Sequence, residues 1–184
     1  MTSTRTIIAA VLAAALAACG GAGDEPAAAD AGAEPTGELS LGRGQDDGSG
    51  GFIDVVDGDD VPLIGGAQGG YHLWTALSAR GVEGRVELVR EARQVSDDAL
   101  VLRAPAQVIE VPSSAMEDWW ERPESTPSFM CPSPVGIQVY DQPLRLTGWL
   151  YDADGALLAE DEIVVVPRCP SGDLEEHCLE VCGG

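Results

Sequence analysis

Three groups of residues in this sequence have the types and spacing to do chemistry. Asp54, Asp57, Asp59 and Asp60 crowd four carboxylates into one short stretch, and Asp152 and Asp154-Gly155 offer two more. Calcium takes several oxygen ligands from a sharply turning loop, so the first stretch is a candidate calcium site. Neither stretch has the full calcium loop with its distal Glu, and acidic turn residues that cap hairpins are the plainer reading. Trp119-Trp120 sits in the proline-rich connection Met116–Pro127. Adjacent tryptophans there offer an aromatic platform for a sugar or a protein partner; alternatively one ring closes the end of the fold while the other lies flat outside. His72, one of only 2 histidines, alternates with Leu73 in a strand-like run and reads as a sheet-face residue.

Other motifs are negative. Gly65-Gly66-Ala67-Gln68-Gly69-Gly70 lacks both the Lys-Ser/Thr of a phosphate loop and the G-x-G-x-x-G of a dinucleotide turn. It reads as a tight connection into a strand. G-x-S-x-G, H-E-x-x-H and any legible nucleophile–base pair are missing, so no residue is assigned a catalytic role and a hydrolase is the remotest of the readings.

The N-terminus carries the most specific signal. Met1 to Thr6 is a short polar segment with one positive charge, Arg5, followed by the wholly apolar Ile7-Ile8-Ala9-Ala10-Val11-Leu12-Ala13-Ala14-Ala15-Leu16-Ala17-Ala18. As a helix that run reaches about 18 Å, short of the roughly 30 Å of a hydrocarbon core, so it reads as a signal peptide, 1–18. It ends Leu16-Ala17-Ala18-Cys19, which resembles the lipobox of bacterial lipoproteins. The resemblance implies cleavage before Cys19 and lipidation of its thiol. Several acyl chains give stable membrane attachment, and by resemblance to the enteric lipoprotein sorting pattern, Gly rather than Asp at position 20 implies the outer membrane of the cell envelope.

With Cys19 lipidated, Cys131, Cys169, Cys178 and Cys182 remain of 5 cysteines. An even number in an oxidising compartment implies two disulfides, with three connectivities open. Asp173 to Val181 reads as a short helix, with Asp173 as its cap and Glu176 as the capping-box partner. Cys178 and Cys182 then fall on one helix face, able to reach Cys131 and Cys169. That stapled arrangement is preferred over a local Cys178–Cys182 pair. A four-cysteine zinc site lacks the paired C-x2-C spacing, and copper binding through Met130, Cys131 and His177 is equally remote.

The formal charge is −21 with 10 basic residues, all of them arginine. Such a surface repels phosphate backbones, which excludes nucleic acid as an expected partner, and it leaves any membrane attachment to lipid. Residues 19–51 are mostly Gly, Ala, Pro, Asp and Glu, with Leu39 and Leu41 the only large aliphatic side chains. They read as a disordered acidic tether with a reach of roughly 30 Å r.m.s..

Residues 52–184 have the length of one domain. Short runs of β-branched, aliphatic and aromatic residues predict strands at Phe52–Val56, Tyr71–Ala79, Gly84–Glu91, Ala99–Gln107 continuing to Val111, Ile137–Tyr140, Leu144–Tyr151 and Leu157–Val166. Leu144, Leu146, Gly148 and Leu150 alternate with Arg145, Thr147, Trp149 and Tyr151, the pattern of a half-buried strand. Asp152-Ala153-Asp154-Gly155 turns it back into the next. The expectation is a mainly β chain forming a single immunoglobulin-like β-sandwich with a short disulfide-pinned C-terminal helix; an open barrel is the alternative.

Asp57-Gly58-Asp59 followed by Gly66-x-Gln68-Gly69-Gly70-Tyr71-His72 resembles a segment of uncharacterised, β-rich lipoproteins of myxobacteria and their relatives. That resemblance implies a fold type and carries no site residues. The expected function is a lipid-anchored envelope module that binds or scaffolds a protein or glycan partner without catalysis, with a calcium-binding module as the alternative.

Overall fold

The computed structural model describes residues 35–46 and 50–184. The signal segment 1–18, Cys19 and the tether residues 19–34 and 47–49 lie outside the described residues. Among the described residues no helix is long and apolar enough to cross a membrane.

The chain is an immunoglobulin-like β-sandwich, and the longest strands follow from period-2 alternation. Strand β10, Leu144–Tyr151, buries every second residue as its sequence predicts. It turns at Asp152, whose Oδ1 accepts the backbone N–H groups of Asp154 and Ala156 at 2.9 and 2.8 Å, into β11, Leu157–Arg168. Beside β10 on its other edge runs β5, Gly84–Gln94, also antiparallel. The far edge of β5 is shared by β6, Leu100–Arg103, and β7, Gln107–Val111. These two were expected as one strand; Ala104-Pro105-Ala106 interrupts them, since proline cannot donate to a ladder. A short parallel strand β2, Asp59–Pro62, completes this larger sheet beyond β11.

The smaller sheet is built around β4, Tyr71–Arg80. One edge of β4 pairs with β1, Glu38–Arg43, and then with β3, Ile64–Gly65. The other edge pairs with β8, Trp120–Glu121, and β9, Thr126–Cys131. Alternate residues of β4, Tyr71, Leu73, Leu77 and Ala79, face the core with Leu88, Met130, Leu146, Leu150 and Val165.

The structure corrects the tether expectation for Glu38–Arg43. Leu39 and Leu41, the only large aliphatics there, are 7% and 2% exposed. Leu41 sits where β10 has Gly148, and a Cβ on that glycine would fall 2.9 Å from Leu41 Cδ2. The expected strand Phe52–Val56 reduces to a single bridge, Ile53 to Arg43; the Phe52 ring folds over Gly42 instead, into space that a side chain would fill. Ile137–Tyr140 is a loop. Its buried Val139 bonds Cys182 O at 2.9 Å, so the C-terminal tail and not a strand satisfies it.

The C-terminal helix α1, Glu175–Val181, has Leu174 at its N-cap with no side-chain cap bond, so the Asp173–Glu176 capping box does not form. Disulfides hold it instead: Cys131–Cys182 and Cys169–Cys178. The stapled arrangement is the one present, and it occupies all four thiols otherwise available for zinc or copper.

Candidate functional site

The two outer faces of the sandwich differ in chemistry. On the larger sheet β5 and β10 carry a charge ladder. Glu91 accepts from Arg103 Nη2 at 2.6 Å and from Arg93, Arg93 Nη1 reaches Asp98 Oδ2 at 3.3 Å, and Arg145 bridges Asp98 and Glu162 at 3.4 and 3.6 Å. Burial pushes the Glu91 carboxyl up, but the hydrogen bonds from Arg93 and Arg103 outweigh it and hold it below the usual carboxylate range.

The outer face of the smaller sheet carries rings. β4 alternation turns His72 and Trp74 outward, and the β4–β9 register sets Phe129 opposite His72 and Pro127 opposite Trp74. His72 lies edge to face with Trp74, centroids 5.0 Å apart, and 5.6 Å from Phe129. Phe129 is 59% exposed. Residues of the Gly65–Gly70 connection line one side of a half-open cleft of about 450 Å³ beside this cluster. Gly66 rests on the imidazole: a Cβ there would meet His72 Nδ1 at 3.4 Å, an ordinary contact distance. Behind the loop stands α1, whose His177 Nε2 lies 3.2 Å from Gly69 O, and Tyr71 Oη donates to Leu174 O at 3.1 Å. The disulfide-held helix therefore braces the loop that shapes the cleft.

The cleft has unmet polar valence. His72 is 6% exposed, and neither of its ring nitrogens nor Trp74 Nε1 has a protein hydrogen-bond partner among the described residues. A buried polar atom left unpaired costs about 1–3 kcal/mol. Desolvation accordingly holds the His72 imidazole below its usual value of 6.5.

A second groove, about 480 Å³, opens farther along the same face between Ser40, Phe52, Asp54, Ser78, Trp119 and Glu121. Trp119 is 45% exposed, and the Arg80 guanidinium sits 5.2 Å from its ring centroid while pairing with Glu38. Trp120, one residue on, packs against the core opposite Ala79. The pair is thus divided, one ring inside and one outside, as strand alternation demands.

The acidic stretch is scattered over different tasks. Asp57 Oδ1 accepts from Val164 N at 2.8 Å, Asp59 Oδ2 accepts from Val56 N at 3.0 Å, and Asp60 pairs with Arg168 at 2.7 Å. Asp54 lines the Trp119 groove. Among the described residues no three His, Cys, Asp or Glu side chains are grouped to hold a metal ion.

Between the sheets lies a charge the sequence did not flag. Arg90 is 7% exposed on the inner face of β5. Its Nη1 donates to Ser128 Oγ at 2.8 Å, and that hydroxyl lies 2.8 Å from Thr75 Oγ1. No carboxylate pairs with it among the described residues. Burial first, then the positive charge of Arg122, lower its guanidinium to about 10.

No protein-family model and no curated protein matches this chain. Solved structures similar to it include a glycosyl hydrolase family 2 member from Bacteroides cellulosilyticus DSM 14838, with 13% identity over 70% of this chain and a TM-score of 0.39. The chain spans 15% of that hydrolase's length. A second is the N-terminal domain of PorA, with 11% identity, 70% of this chain and 96% of that domain covered, and a TM-score of 0.33.

Sequence reasoning singled out Trp119 together with Trp120 and read His72 as a sheet-face residue, where the structure places it, but it did not single out Phe129 or Trp74. Phe129 follows the proline-rich stretch that hid β9, where Pro127 signalled a loop although edge strands tolerate proline. The alternation of Ser128, Phe129 and Met130 was the available signal.

Proposed function

We propose that this protein is a lipid-anchored, non-catalytic binding module of the cell envelope, attached through Cys19 to the outer membrane, and that it recognises a protein or glycan through the outer face of its smaller sheet. One observation carries the reading. Exposed and half-buried rings, Phe129, Trp74 and Trp119, gather around two clefts on one face, while the opposite face is closed by ion pairs. Contiguous aromatic surface rimmed by polar residues marks interaction sites. The lipobox supports the anchor, and a net charge of −21 leaves lipid, not surface adsorption, to hold the chain at an anionic membrane.

The structure changes which tryptophan is tested. Trp120 packs against the core, so its removal would lower stability and confound a binding test. Crosslinking capture from intact cells with the tagged, lipidated protein should recover a stoichiometric envelope component. Trp119→Ala combined with Phe129→Ala should abolish that recovery while leaving the melting temperature within about 2 °C, since both rings are exposed. Undiminished capture by the double variant would overturn the assignment of the face.

A further inference from the structure

We propose that the cleft between the Gly65–Gly70 loop, His72, Trp74 and Phe129 is a subsite for one neutral sugar ring. The inference rests on the reading of this sheet face as the binding face and names the ligand class for one of its two clefts.

Charge is the first argument. In a chain of net charge −21, no Asp, Glu or Arg side chain among the described residues lines this cleft. A site that excludes charge in so acidic a surface selects an uncharged ligand. Size is the second. A concavity of about 450 Å³ falls within the roughly 300–1,000 Å³ range of small-ligand sites.

The wall chemistry narrows the ligand further. Phe129 and Trp74 supply ring faces against which the C–H face of a pyranose packs. Below them His72 Nδ1, His72 Nε2 and Trp74 Nε1 have no protein partner. A hydroxyl donates and accepts, so a sugar matches the indole N–H and both the donor and the acceptor nitrogen of a neutral imidazole. A purely aliphatic or proline ligand would bury these atoms unpaired. The three nitrogens lie beneath the present surface, with Gly66 resting on the imidazole, so full engagement requires Gly66–Gly70 to shift outward. That shift gives up the His177–Gly69 contact, and the freedom of Gly66, Gly69 and Gly70 lets the backbone adopt the new path.

The test titrates the mature lipidated protein, in a detergent without a sugar headgroup, with maltose, cellobiose and chitobiose. Binding is followed by saturation-transfer NMR and by tryptophan fluorescence. At least one disaccharide should bind saturably, with transfer from the aromatic protons. Phe129→Ala should weaken it about tenfold without moving the melting temperature. His72→Phe, which keeps the ring stack and removes both nitrogens, should weaken it comparably. Absence of saturable binding by all three sugars would overturn the proposal, as would binding indifferent to both variants. Failure of the sugars alongside Phe129-dependent capture of an envelope protein would also overturn it, while leaving the binding face itself standing.

Discussion

His72 shows how one side chain couples the site to stability. Its imidazole is held below 6.5 by burial under the Gly65–Gly70 loop and against Trp74 and Phe129. Among the described residues no charged side chain lines the cleft to offset that desolvation. As pH falls below 6.5 the unfolded chain takes up a proton that the folded chain resists. The unfolded state binds more protons there, so stability is full above pH 6.5 and is lost as pH falls toward the folded value. Urea midpoints measured from about pH 7 to about pH 5 should therefore decline more steeply for the native protein than for His72→Phe. Parallel declines would show that the imidazole is not the group responsible. Trp74 should report the same step, its fluorescence dimming as the neighbouring ring gains charge. Arg90 is a second residue whose position costs stability: a lone guanidinium between the sheets has only the Ser128 hydroxyl to replace its hydration.

At the scale of elements, β1 is the piece that composition concealed, whereas the C-terminal helix α1 was foretold and only its capping box was not formed. Glu38–Arg43 has a low apolar content, yet Leu41 enters the core against Gly148 and its backbone N–H bonds Asp161 Oδ2 at 2.7 Å. Leu41→Ala should cost about 2–5 kcal/mol in urea denaturation, the usual range for a buried leucine. In a disordered tether the same change would cost nothing, so a null result would remove β1 from the folded domain. The foretold strands β4, β5, β10 and β11, of which Leu144–Tyr151 showed clear alternation, are the long ones that bury one face. The missed strands, β2, β3, β8 and β9, are short edge pieces held by pairing with a neighbour already in place. Asp59-Asp60-Val61-Pro62 has no strand pattern of its own; Asp57 and Gly58 dock it onto Val164 of β11. For α1 the two disulfides replace the missing cap, and a bridge spanning 51 residues, Cys131–Cys182, contributes about 4 kcal/mol by loop-closure entropy.

For the whole molecule, net charge is the dominant global variable. A surplus of carboxylates this large repels itself in the compact state. The arginines answer it locally, in the ladder on the larger sheet and in Arg168 between Asp60 and Asp141. Exposed pairs of that kind are worth well under about 1 kcal/mol each, too little to outweigh the surplus. Raising ionic strength from near zero to physiological should therefore raise the melting temperature by roughly 2–4 °C, the shift made by about 1 kcal/mol in a domain of this size. A falling melting temperature would mean that the screened ion pairs dominate instead.

The sequence alone determined the half-buried strand at Leu144–Tyr151, its Asp152–Gly155 turn, the mainly β character and the pairing potential of four cysteines. Each of these is set by local periodicity, turn chemistry or residue count. Tertiary structure decided which cysteines join, that Trp119 and not Trp120 faces outward, and that Leu39 and Leu41 belong to the core. It also decided the cleft. Gly66, His72 and Trp74 are close in sequence, but Phe129 arrives from a different strand, and only the β4–β9 register, with its irregularity at Tyr71/His72, sets it opposite His72. Cross-strand register depends on the packing of both faces at once, which no local window of sequence contains.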